Sequence, residues 1–472
     1  MLNPLGGDMS TYKNLEQLLR SAESPIHLLR NSDVGAFAFP VVPAEFTSWR
    51  NEQRGWRETI ALSDQSYHMG NLTVKGRDAV PLLKSLGVNS FDKFSPGRAK
   101  QFVVCNYDGY LIGDLILFYI DVDELLLVGR APTMNWVQFH AETGDYNVQL
   151  YRRDRSPLQS GGATIVRDYY RYQIQGPNAP ALFEKLNGGP LPDIKFFHFG
   201  EISVGNHKVS ALRHSMSGVP GLEMWGPYAE GQEVLTTILA AGKEFGLVQV
   251  GSRAYGTSAA ESGWIPAPVP AVYTGEKMKT YREWLPAQGY ESKNSVGGSF
   301  CSPNIEDYYV TPYELGYGSI IKFDHDFIGR DALERMATQP HRRKVTLVWD
   351  PEDVTRIVSS ALVPGAEAYK FLDFPVPNYA AAPYDRVMRG DEQVGLSMYY
   401  SYSYNERAVL SLAIVDSEIK DGDILTLVWG EEDGGTRKTT VEPHKQTHVR
   451  VMVAGVPFAR DARANHIDWS AR

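Results

Sequence analysis

Cysteine is nearly absent: Cys105 and Cys301 are the only two in 472 residues. That excludes a disulfide framework and any zinc site drawing three or four cysteines from one chain. Two reduced thiols fit a reducing compartment. Long apolar runs are missing as well. The longest, such as Leu115–Ile120 and Leu125–Val128, fall far short of the roughly 20 residues that span a bilayer. Residues 1–12, with Gly6, Gly7 and Asp8, hold neither the basic nor the apolar stretch of a secretion signal. The expectation is a cytoplasmic protein. Basic charge is also short, with 47 Lys and Arg against 56 Asp and Glu and a net charge of −9. No basic stripe stands out, which argues against nucleic acid and anionic membranes as partners. What is present is an ordinary globular composition, 43% hydrophobic and 22% charged, in a chain long enough for several cores.

The order of elements predicts an internal repeat. Segment 14–30 reads as helical, divided by Pro25. Leu72–Val74 reads as a strand, Asp78–Leu86 as a helix, Lys100–Cys105 and Leu111–Ile120 as strands about an Asp108-Gly109 turn. Leu125–Val128 is a further strand, Thr133–Thr143 a helix, and Tyr146–Tyr151 a strand. A similar order returns with strand Tyr169–Gln175, helix Asn178–Leu186, strands Glu201–Val204 and Lys208–Arg213, helix Gln232–Phe245 and strand Leu247–Val250. Two split βαβ-type units are therefore expected. From about residue 341 the pattern becomes β-rich, which predicts a separate barrel or sandwich. The expected divisions are an N-terminal segment 1–68 packing on the α+β units, a first unit 69–158, a second unit 159–264, a long ordered connection 265–340 over a site, and a C-terminal β-rich domain 341–472.

Standard phosphate loops, dinucleotide fingerprints and the G-x-S-x-G elbow are all missing from the chain. His444 and His448 have a metal-like spacing but lack a spaced acidic ligand, and Asp324-His325-Asp326 reads as a loop before a helix, so no metal is expected. Three polar positions in apolar or Gly-rich surroundings carry more information. Glu223, in Gly221-Leu222-Glu223-Met224-Trp225-Gly226, could accept paired hydrogen bonds from a planar N–H donor; the plainer reading is a surface Glu at a strand edge. Tyr255, read as lying at a helix start, could donate a proton to a leaving oxygen, although most of the 26 tyrosines will be packing residues. Arg130, after an apolar strand, could grip a carboxylate, or pair with a structural Asp or Glu.

Five segments together resemble the glycine-cleavage aminomethyltransferase family. They are Gln175-Gly176-Pro177, Gly221-Leu222-Glu223, Gly251-Ser252-Arg253 with Glu261-Ser262-Gly263, Phe327-Ile328-Gly329-Arg330-Asp331-Ala332-Leu333, and Val456-Pro457-Phe458. Each is weak alone; five in order are specific. Within the family, the insertion Pro268–Tyr308 and the segment Gly430–His444 resemble bacterial tetrahydrofolate-dependent aryl O-demethylases. The resemblance implies an α+β, three-domain cloverleaf, two split-βαβ-type units and a C-terminal β-barrel-like domain around a central site. It implies transfer of an O-methyl group from a small aromatic acid to tetrahydrofolate, without metal or cobalamin. By position it gives Tyr255 the role of assisting departure of the phenolic oxygen. Glu223 would pair with the pterin ring, with Gln173 and Trp264 nearby. His68 and Gln65 would line the aryl pocket and Arg130 would hold the substrate carboxylate. Tyr67, Phe37 and Phe39 fall at pocket positions where vanillate-type relatives are expected to carry His and two tyrosines. The less polar pair of Phe residues favours syringate over vanillate or 3-O-methylgallate. The chain reads Gly113-Asp114 where simple aminomethyltransferases have an acidic pair. A folate-dependent aminomethyltransferase acting on a carrier protein, and a folate-binding regulatory protein of the same fold, are the alternatives.

Overall fold

The computed structural model describes residues 11–32, 41–153, 167–266, 268–377, 379–432, 436 and 438–463. Phe37 and Phe39 lie outside the described residues. Pro25 starts a second short helix, Pro25–Arg30, after Leu15–Ser21, each with a side-chain N-cap from Asn14 or Ser24.

Two open sheets share one strand order. In the first unit the order is Ala99–Cys105, Leu111–Asp121, Glu124–Gly129, Gly70–Lys75, Gln149–Arg153. In the second it is Phe199–Val204, His207–Leu212, Gly221–Pro227, Tyr169–Gln175, then Ile60–Asp64, then Leu247–Gln249. The two units match each other strand for strand with one insertion, and the second also holds strand Gly221–Pro227, which the expected repeat lacked. Ile60–Asp64 lies antiparallel to Tyr169–Gln175 and parallel to Leu247–Gln249. The five-stranded sheet falls inside 69–158, whereas the six-stranded sheet takes a strand from 1–68 as well as from 159–264.

A glycine marks the same point in both units. Gly76 and Gly176 follow the first strand of each unit at φ +140° and +143°. A Cβ would come within 2.4 Å of the Asn147 and Thr59 carbonyl oxygens respectively. Glycine there permits both the positive φ and the close passage of a neighbouring chain.

Each sheet has a helix-covered face. In the second unit Tyr172, Ile174, Leu222 and Met224 pack under helices Ala179–Asn187 and Gly231–Gly242. By the two-residue period of a strand, Arg171, Gln173, Gln175 and Glu223 face the other way. There Trp225 meets Phe118 of the first sheet at 5.0 Å between ring centroids. The two sheets therefore present polar side chains to a shared interior.

The C-terminal domain is a closed barrel in the order Arg343–Trp349, Ala408–Val415, Glu392–Ser403, Asp385–Arg389, Ile424–Trp429, Thr447–Ala454. Residues 268–340 form a chain of short helices and turns whose Tyr273, Tyr281, Tyr308 and Tyr309 are buried in the first unit's core.

Candidate active site

Tyr255 ends the four-residue helix Ser252–Tyr255, rather than starting a helix as the sequence suggested. That helix is tied down from below. The buried Glu52 carboxylate accepts from the backbone N–H groups of Gly251, Phe46 and Thr47. The following helix, Thr257–Ser262, is held by Glu261, which accepts from Trp56 Nε1 at 2.9 Å and Ser403 Oγ at 2.5 Å. The Glu261-Ser262-Gly263 motif thus anchors the tyrosine instead of entering the chemistry.

Among the described residues, three side chains are seen to reach the Tyr255 hydroxyl. Gln65 Nε2 lies 3.0 Å away, His68 Nε2 3.1 Å and Met216 Sδ 3.1 Å. Gln65 Nε2 also donates to Gln173 Oε1 at 3.2 Å, and Gln173 Nε2 donates to the His214 carbonyl at 3.1 Å. Burial and the Glu223 carboxylate push the Tyr255 hydroxyl well above the ordinary tyrosine value, against the lowering effects of Gln65 and Arg130. Tyr255 therefore remains a protonated donor at neutral pH. A tyrosine and a phenol have similar ordinary acidity, and burial raises both, so a phenol bound in the same surroundings stays matched to Tyr255.

Glu223 lies on an interior strand, between Gln173 and Leu212, and is buried. The edge-strand alternative is thereby overturned. One carboxylate oxygen bonds Arg171 Nη1, and the other lies 3.8 Å from His214 Nδ1. The Arg171 guanidinium lies over both Phe118 and Trp225, 5.2 Å from each ring centroid. The carboxylate is therefore shared with an arginine, not open on both oxygens. Burial pushes the His214 imidazole down, with Glu223 opposing, so the ring is neutral. Arg171 Nη2, Gln65 Oε1, His214 Nδ1 and Ser217 Oγ are buried without a hydrogen-bond partner among the described residues. Clustered donors and acceptors of this kind suit a planar ligand that both gives and takes hydrogen bonds, and the bland expectation of full pairing fails here.

A second polar centre faces the same interior. Asp114 Oδ2 accepts from Trp264 Nε1 at 3.3 Å, Tyr317 Oη at 2.7 Å and Gln101 Nε2. Lys344, at the start of the barrel, is lowered to about 8 by burial, with Asp114 pulling the other way. Gly113 sits where an acidic pair would need its first member. A Cβ there would come within 2.6 Å of Thr133 Oγ1, so this backbone has no room for one without movement of Thr133.

Arg130 is the residue before helix Ala131–Thr143, close enough for its charge to act on both Tyr255 and Tyr399. Tyr67 is not brought to Tyr255. Its hydroxyl lies 3.2 Å from that of Tyr228, while the next residue of the same turn, His68, reaches Tyr255. His444 accepts the Glu431 N–H, and His325 bonds Asp324 and the Gly87 carbonyl. No group of three metal-ligating side chains occurs among the described residues. Arg171, Asp114, Gln175 and Met216 were missed by the sequence reading. Arg171 and Gln175 share the inward face of the strand that holds Gln173, and that period was the available signal.

The family model for the GCVT N-terminal domain matches residues 30–267. A syringate O-demethylase of Sphingobium sp. (strain NBRC 103272 / SYK-6) is 46% identical over 98% of this chain and 99% of its own length. A sesamin methylene transferase of Sinomonas sp. (strain No.22) is 28% identical over 92% of this chain and 94% of its own. The solved structure of glycine cleavage system aminomethyltransferase T from Bartonella henselae superposes with TM-score 0.59 at 15% identity, covering 90% of this chain and 94% of that one, a likeness of fold.

Proposed function

This chain belongs to the family of the GCVT N-terminal domain, and from that premise we propose that it is a tetrahydrofolate-dependent O-demethylase of a methoxylated hydroxybenzoate, with syringate as substrate. The observation that carries the reading is a protonated tyrosine between an arginine's field and a buried glutamate. Around it stand Gln65 and His68, and beyond them unpaired polar atoms suited to a planar heterocycle.

The residues divide the work. Arg130 holds the carboxylate of the aromatic acid, and His68 and Gln65 line the ring. Glu223, Arg171 and Gln173 bind the pterin, with Trp264 fixed by Asp114 at its side. Bound tetrahydrofolate supplies the amine nitrogen that accepts the methyl group. Tyr255 supplies a proton or strong hydrogen bond to the ether oxygen, so that the phenol leaves without full negative charge. Gln65 Nε2 donates to the Tyr255 oxygen, and the hydroxyl proton, which here points at Met216 Sδ, is the one that turns to the substrate. Positioning of two bound molecules in line supplies much of the remaining rate.

Gly113 favours this reading over an aminomethyltransferase that relies on paired carboxylates. A cytoplasmic location belongs to the reading; both thiols are free, Cys105 buried and Cys301 exposed. Among the described residues no helix is long and apolar enough to cross a membrane. The test is transfer from methyl-labelled syringate. Label should appear in methyltetrahydrofolate and a catechol-type product should form. Demethylation that never labels the folate refutes the mechanism.

A further inference from the structure

The segment Arg213–Pro220 crosses beside Tyr255, tied at its ends by the Arg213 N–H to the His198 carbonyl and the Gly176 N–H to the Pro220 carbonyl, and at its middle by Gln175. Gln175 Oε1 accepts from Ser215 Oγ at 3.0 Å, from Met216 N at 3.2 Å and from Ser217 N at 3.2 Å. Its backbone is therefore fixed to the central strand, and the Met216 side chain reaches inward to Tyr255. Its sulfur touches both Tyr255 Oη and Gln65 Nε2, at 3.1 and 3.0 Å. On the far side of the same segment lies a cavity of about 310 Å³, lined by His214, Ser215, Val219 and Pro220 among others, so the segment has space behind it.

An ether oxygen that receives the Tyr255 proton has to enter a shell that, among the described residues, includes Gln65, His68 and Met216. Gln65 is locked by Gln173, which is locked in turn by the His214 carbonyl. Displacing Gln65 would break that series and leave a buried amide unpaired, a costly outcome. His68 is buried and sits edge-on to the Tyr255 ring at 4.9 Å. Met216 is different. A thioether is a weak acceptor on an unbranched, adaptable chain. When its sulfur withdraws, Gln65 Nε2 keeps its bond to Gln173.

We propose that Met216 is a specificity-determining residue: the ether oxygen and its alkyl group take the place its thioether now holds beside Tyr255, so Met216 sets the size of alkyl ether accepted. This rests on the reading of the chain as an aryl O-demethylase. The side chain offers a soft apolar wall with no proton donor to compete for the ether oxygen.

The test compares vanillate with its ethoxy homologue, each with tetrahydrofolate, in wild type, Met216→Leu, Met216→Ala and Met216→Phe. Met216→Ala should raise the ethoxy-to-methoxy ratio of kcat/KM about tenfold or more, the scale at which one methylene is discriminated in a pocket. Met216→Leu, which conserves volume, should move it less than about threefold. Met216→Phe should raise KM for both acids at least about tenfold while tetrahydrofolate binding, followed by titration, stays unchanged. A ratio that does not move in Met216→Ala, or unchanged KM values in Met216→Phe, overturns the proposal alone. A wild type that takes a methyl group from no methoxybenzoate removes the functional reading, and this proposal with it.

Discussion

Gln65 and Tyr255 stand 190 positions apart in the chain, yet Gln65 Nε2 lies 3.0 Å from the Tyr255 hydroxyl. Gln65 directly follows the inserted strand Ile60–Asp64, and Tyr255 ends the helix that follows the edge strand Leu247–Gln249. Those two strands are parallel neighbours in one sheet. The pairing of an early strand with a late one is what brings a donor amide to the proposed acid.

Tyr255→Phe should keep the fold and the binding of both ligands but lose about 10²–10⁴-fold in kcat, the scale of a general acid. Because burial and Glu223 raise the Tyr255 hydroxyl, its ionisation should cause no fall in wild-type rate up to about pH 10, the ordinary tyrosine value. A near-normal kcat in the variant removes Tyr255 from the mechanism.

Arg130→Ala should raise KM for syringate more than it lowers kcat. The carboxylate is remote from the methyl, so its pairing is similar in ground and transition states. A charged hydrogen bond worth about 1.5–3 kcal/mol corresponds to roughly 10–100-fold in KM. A methoxyphenol without the carboxylate should be poor for wild type and little changed by the mutation. Equal losses on both substrates would make Arg130 structural.

Glu223→Gln should weaken tetrahydrofolate binding at least about tenfold, from the loss of a charged hydrogen bond, and leave syringate KM nearly unchanged. It also leaves Arg171 buried without its counter-charge, which costs stability. A Glu223→Gln, Arg171→Met double variant should recover thermal stability without recovering folate affinity. Recovery of both would assign Glu223 to structure alone.

The barrel carries its own ion pair, Lys370 with Glu431, both buried, with Lys370 Nζ 3.2 Å from the Tyr379 ring centroid. Burial alone would raise the Glu431 carboxyl. Lys370, the Gly298 N–H and His444 outweigh it and hold the group at about 2. A carboxyl lowered on folding stabilises the fold while ionised. That contribution is complete above the ordinary 4.5 and is lost as pH falls toward about 2. Glu431→Gln should therefore be destabilised strongly near neutral pH, by about 3–5 kcal/mol for a broken buried pair. The gap from wild type in denaturant melts should narrow below about pH 4. A gap constant with pH would refute the assignment.

Much of the architecture was legible in the sequence because periodicity is a local property. Tyr169–Gln175 matches its expected span, and Gly76 and Gly176 recur at equivalent points of the two units. Ile60–Asp64 was not legible. It is five residues long and buried on both faces, so it shows no alternation. Gly221–Pro227 was read only for its Glu223, since a polar residue inside an apolar run looks the same at an edge or at the centre of a sheet.

The sequence by itself determined the repeat, the barrel's β-rich character, and the candidates Tyr255 and Glu223; the family resemblance added Gln173, Gln65 and His68, and the fold gathers the five into one interior. Only tertiary structure decided how they are partnered. It turned Tyr67 out toward Tyr228, set Arg171 against Glu223, gave Trp264 to Asp114, and placed Met216 on the Tyr255 hydroxyl. The physical reason is range. Strand and helix periods act over a few residues, whereas these contacts join segments tens to hundreds of positions apart, and the order of strands in the sheets sets which segments meet.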